Sequence, residues 1–76
     1  MNVDDRLDAI MELVYEAIPA LNVTIRRSSW LNGKKIIFSG WAVEAEVPET
    51  SDLVRIGPTP EQAARDLIQH YKDIYT

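Results

Sequence analysis

The chain has 76 residues, 46% of them hydrophobic and 26% charged, with twelve acids against eight bases for a net charge of −4. That length admits one domain with one core over residues 1–76, and the apolar content belongs to a folding chain rather than a disordered one. The lack of cysteine excludes disulfides, thiolate metal sites and cysteine nucleophiles, and the acidity disfavours bulk attraction to nucleic acid or anionic membrane.

A chain this short buries only about 60% of its unfolded surface, so a homodimer is one route to a larger core. No run approaches the roughly 20 apolar residues of a membrane span. Asp4 and Asp5 stand where a signal peptide would carry positive charge, so a soluble, cytoplasmic protein with no membrane partner is expected.

Val3, Leu7, Ile10, Met11, Val14 and Ile18 recur at the three-and-four spacing of a helix over residues 3 to 18 that buries one stripe. Asn2 or Asp4 is placed to cap it, and Pro19 to stop it. Val23, Thr24, Ile25 and Trp30 favour a strand from Asn22 to Trp30, and Leu31-Asn32-Gly33-Lys34 then supplies an Asn-Gly hairpin turn.

The returning segment, Lys35 to Val47, changes pattern at Ser39-Gly40, which predicts a bulge, bend or second turn there. Beyond it Trp41, Val43, Ala45 and Val47 alternate with Ala42, Glu44 and Glu46, so one face is buried and the other wet. Residues 48 to 52 read as a loop, and Leu53-Val54-Arg55-Ile56 as a short edge strand ending at Gly57-Pro58.

Thr59, Pro60 and Gln62 then form a Thr-x-x-Gln capping box with proline at the first helical position. Ala64, Leu67, Ile68, Tyr71, Ile74 and Tyr75 make the apolar stripe of the helix that follows. The predicted fold is α+β, in the order α-β-β-β-α: two layers, with two helices on one face of a three-stranded antiparallel sheet. Pairing through the Asn-Gly turn sets Val23 near Ala42 and Thr24 near Trp41. That arrangement mixes apolar residues on both faces, so the pattern leaves the register open and allows an uncovered apolar patch.

Two surfaces invite function. On the first helix Asp4, Asp8, Glu12 and Glu16 follow at four-residue spacing with Asp5 beside them. Like charges so spaced repel by roughly 0.2 to 0.5 kcal/mol per pair, and the helix dipole favours only those in the first turn. The row is either a solvated face or a recognition surface for a protein partner with a basic groove, using Asp5, Asp8, Glu12 and Glu16. Trp30, near the hairpin end, is a candidate anchor for the same kind of contact, with Trp41, Tyr15, Tyr71 and Tyr75 assigned mostly to the core.

The alternative surface is basic. Arg26, Arg27, Lys34 and Lys35 are half of the cations and flank the turn, a footprint suited to phosphates with Trp30 stacking on a base. Arg26 and Arg27 are sequence neighbours and must point to opposite faces, and charge on an edge hairpin also serves to prevent aggregation.

Catalytic signals are lacking. His70 is the one histidine, near Asp66 and Asp73, and it has no second histidine or cysteine with which to bind metal. Ser28, Ser29, Ser39 and Ser51 sit in no nucleophile motif, and Gly33, Gly40 and Gly57 form no phosphate loop. The expectation is a non-enzyme without cofactor.

Gly57-Pro58-Thr59-Pro60-Glu61-Gln62-Ala63-Ala64 resembles the Gly-x-Thr-x-Glu-x-Ala entry to the last helix of small α/β modules, among them antitoxins of the partial ribonuclease-H type and short phage-encoded proteins. The element order is similar to that of the double-stranded RNA-binding domain. That family places a lysine cluster at the start of its final helix, whereas this chain has Pro60-Glu61-Gln62-Ala63-Ala64 with Arg65 as the nearby cation. The resemblance implies topology and not the family's RNA binding. Size and acidity also resemble accessory proteins of phages or mobile elements, some of which occupy the nucleic-acid surfaces of host nucleases.

Overall fold

A computed structural model of the chain describes residues 3–32, 35–48 and 52–75, the side chains of 3, 4, 30–32 and 35–38 excepted. The order is α1 (Val3–Ala17), β1 (Asn22–Asn32), β2 (Lys35–Glu46), β3 (Leu53–Gly57) and α2 (Pro60–Tyr75). The strands form one antiparallel sheet in the order β1-β2-β3, and both helices pack on one face of it.

The stripe of α1 ends as its sequence dictates. The Ile18 N–H still donates to the Val14 carbonyl at 2.8 Å, and Pro19 then prevents a further turn. Asp4 lies inside the helix and is not its cap; Asn2, the other candidate, lies outside the described residues. Ile10, Val14 and Ile18 are buried, with Leu7 and Met11 packed against them.

The hairpin corrects the pairing expected from the turn. Asn32 pairs with Lys35, so Asn32 belongs to the strand, and the next pairs are Leu31 with Ile36 and Trp30 with Phe38. Ile37 is therefore an extra residue on β2. From there Arg27 faces Trp41, Ile25 faces Val43 and Val23 faces Ala45. The offset from the expected pairing of Val23 with Ala42 is an odd number of residues, which exchanges the faces. Ser39 and Gly40, where an irregularity was expected, pair without interruption with Ser29 and Ser28; the bulge sits nearer the turn.

With this register one face carries Val23, Ile25, Val43, Ala45 and Leu53 toward the helices. Val14, Val43, Ala45, Ala63 and Leu67 are fully buried, and among the described residues no polar side chain is buried with them. Each large apolar side chain so enclosed contributes about 1.5 to 3 kcal/mol.

The entry to α2 is half of the predicted capping box. The Gln62 N–H donates to Thr59 Oγ1 at 3.1 Å, but the Gln62 amide turns forward to Asp66 Oδ1 at 2.9 Å. An i,i+4 contact on the exposed face has replaced the reach back to the cap. Pro60 and Ala63 are buried, whereas Ile74 and Tyr75 remain 49% and 46% exposed. Sixteen residues of helix rise about 24 Å, while five residues of strand span about 17 Å. The last turn of α2 therefore runs past the sheet, and the predicted stripe is not all core.

Both rims of the sheet are partly closed by side chains. The Val23 N–H donates to the Tyr15 hydroxyl at 3.1 Å, and Arg55 Nη1 donates to the Val54 carbonyl at 3.1 Å. In an antiparallel ladder alternate residues turn their backbone groups outward, so these two contacts occupy groups that β2 does not use.

Close approach at Gly57 fixes α2 to β3: a Cβ there would lie 3.0 Å from the Ala63 nitrogen and 3.4 Å from the Ala63 Cα. Gly57→Ala is expected to destabilise the fold by about 1 to 3 kcal/mol, since backbone and not a side-chain tip must give way. Leu67→Ala should cost about 2 to 5 kcal/mol through the cavity it leaves. Leu13→Ala, at a position 56% exposed, should stay within about 0.5 kcal/mol of the parent. Urea unfolding of the three variants checks these values.

Candidate functional site

The 3.6-residue period of α1 that buries Ile10, Val14 and Ile18 turns Asp5, Asp8, Glu12 and Glu16 to the opposite side, and all four are exposed. The row thus forms a strip along the outer surface of the helix layer. α1 has no basic residue in its last turn, so Glu16 faces the negative end of the helix dipole uncompensated within that turn. Beside the strip, Leu13 is 56% exposed, three residues from Glu16 and adjacent to Glu12.

The strip ends near the clasp between the two helices. Arg6 of α1 donates through Nε and Nη2 to the two carboxylate oxygens of Glu61 in the first turn of α2. The bidentate pairing sets the helices side by side with both N-termini at the hairpin end. The Glu61 carboxyl is held below its ordinary range by the hydrogen bonds from Arg6 first and by a backbone N–H second, and the Arg6 guanidinium shifts upward in return.

The basic candidates do not assemble. Arg26 lies on the outer face of the sheet, where its Nη1 reaches Glu44 Oε1 at 3.3 Å. Arg27 lies on the helix side, with its guanidinium carbon 5.1 Å from the centroid of Trp41, the residue opposite it in the ladder. The opposed directions expected from sequence adjacency are observed, and each arginine is engaged within its own face. Lys34 and the side chains of Lys35 and Trp30 lie outside the described residues.

The aromatic residues are less buried than their composition suggested. Tyr15 is 45% and Tyr75 46% exposed, while Trp41 and Tyr71 are half-buried; Tyr71 and Tyr75 stack at 4.8 Å between ring centroids. His70 has a partner that sequence reading missed: Arg55 Nη2 lies 2.7 Å from its Nδ1. A guanidinium can only donate, so Nδ1 is the acceptor and the ring proton sits on Nε2. The signal for this pair is the strand-helix connection, which folds β3 back along α2.

Among the described residues no group of histidine, cysteine and carboxylate side chains is arranged to hold a metal, and no helix is long and apolar enough to cross a membrane. Sequence reading also passed over a groove on the outer face of the sheet, lined by Arg26, Ser28, Ala42, Val54, Arg55 and Ile56. Its signal was the pair of small residues, Gly40 and Ala42, on the side of β2 assigned to water. Comparison with protein-family models, with curated proteins and with solved structures finds no match to this chain.

The Arg6–Glu61 clasp makes a pH prediction. A carboxyl whose folded pKa is depressed adds stability that is complete above its unfolded value and is lost as pH falls through the folded one. The difference in melting temperature between the parent and Arg6→Gln should therefore be largest near neutrality and shrink between about pH 5 and about pH 3. Thermal melts of both chains across that range measure it; a constant difference would mean that the clasp acts through packing alone.

Proposed function

We propose that this chain is a non-enzymatic, cytoplasmic protein-interaction module that meets a basic partner surface with the outward carboxylates of α1, in the manner of a phage or mobile-element accessory protein. The observation that carries the reading is the exposed strip Asp5, Asp8, Glu12 and Glu16 with Leu13 exposed beside it. Solubility alone is served by mixed charge, whereas four like charges in line raise the energy of the helix that bears them. An apolar residue flanked by charge is the composition of a small interface, with contact at the centre and electrostatic orientation at the rim.

The competing reading, nucleic-acid binding by Arg26, Arg27, Lys34 and Lys35, has less support. Its two described arginines face opposite ways and are engaged by Glu44 and Trp41. A phosphate backbone is held by cations that converge on one surface.

Reversing the charge at Glu12→Lys and Glu16→Lys together separates the readings. In affinity capture from the native host, followed by titration of the captured protein at two salt concentrations, the double variant should bind at least about tenfold more weakly at low salt. Its affinity for DNA or RNA should stay the same or rise. Capture of the same partners with undiminished affinity would end the proposal for this face.

A further inference from the structure

The sheet face turned away from the helices is not flat. Arg26 of β1, Ala42 of β2 and Ile56 of β3 stand in one cross-strand row, Ser28 and Gly40 in the next, and Glu44 and Val54 on the other side. β2 contributes small residues at the middle while β1 and β3 contribute longer ones. The centre is therefore sunken: Ala42 is only 2% exposed although no helix covers it, and Val54 and Ile56 rise beside it at 41% exposure each. The resulting open groove has a volume of about 380 Å³.

Three properties define what fits. The volume lies within the range of about 300 to 1,000 Å³ common to small-molecule sites. Its walls stand two strand spacings apart, about 10 Å between backbones, which admits one aliphatic chain or one aromatic ring system. The lining presents one guanidinium, that of Arg26, and no carboxylate, in a chain whose net charge is −4. Arg26 reaches Glu44 through one nitrogen at 3.3 Å, with 52% of its side chain exposed. That contact is long for a charged pair and leaves further N–H donors for a ligand. Arg55 touches the groove from the strand but, opposite Val43 in the ladder, sends its guanidinium to the Val54 carbonyl and to His70 on the helix side.

A second copy of the chain is a poorer occupant. Strands of eleven, twelve and five residues present about 450 Å² of face, against the roughly 800 Å² that each partner buries in a standard interface. We propose that the groove binds a small amphipathic anion, with an apolar body lying over Ala42 between Val54, Ile56 and the stem of Arg26, and one carboxylate or sulfonate head on the guanidinium side. This site is on the opposite side of the molecule from the α1 carboxylates and stands independently of their role.

The test uses the intact chain and the fluorescent probe 1-anilinonaphthalene-8-sulfonate, which joins aromatic rings to one sulfonate. Titration should give saturable, single-site enhancement that octanoate displaces. Ala42→Leu fills the groove on an uncovered face and should weaken the probe at least about tenfold. Arg26→Gln, which leaves the walls in place, should weaken it severalfold. Ile74→Ser, which removes an exposed apolar side chain away from the groove, should change nothing. Circular dichroism of each variant verifies the fold, and Ile56→Ser, which lowers one wall, provides a second groove variant expected to lose affinity. Absence of saturable binding, parental affinity in folded Ala42→Leu or Ile56→Ser, or loss in Ile74→Ser would each overturn the proposal.

Discussion

The parity of the β1–β2 pairing governs everything else in this protein. Side chains alternate strictly along a strand, so Val23 opposite Ala45 and Ile25 opposite Val43 bring four apolar residues to the helices together. A slip by one residue would send either Arg26 into the core or Val43 to water. The Ile37 bulge lies between the turn and this segment and supplies the single residue that reconciles them. Once that parity is set, β3 can add Leu53 to the same face, and α1 and α2 have one apolar surface to share.

The elements, their order and their layering were legible in the sequence because each rests on local chemistry: helical spacing around Val14 and Leu67, proline at 19 and 60, alternation from Trp41 to Val47. The register was not, because the Asn-Gly pair names a turn without counting the residues that flank it. Nothing in Lys35 to Phe38 marks Ile37 as the extra one. The acidic strip was readable as a row because a helix has a fixed period. The groove and the Arg55–His70 contact were not, since each needs residues brought together from different strands or from strand and helix.

The first turn of α2 offers Glu61, paired with Arg6, where a phosphate-binding surface would need cations. The hairpin arginines are turned to opposite faces, Arg26 beside Glu44 and Arg27 over Trp41. On α1 five acids stand against Arg6 alone, which is paired with Glu61, so the outer field of the helix layer is negative.

The width of this sheet is a property of side chains. The backbone of β1 and β3 keeps extended geometry to its outermost groups, and what meets a newcomer at Val23 is a tyrosine hydroxyl and at Val54 a guanidinium. A ladder has no intrinsic last rung. At each rim one side chain, Tyr15 or Arg55, occupies a backbone group at which a further strand could begin to pair.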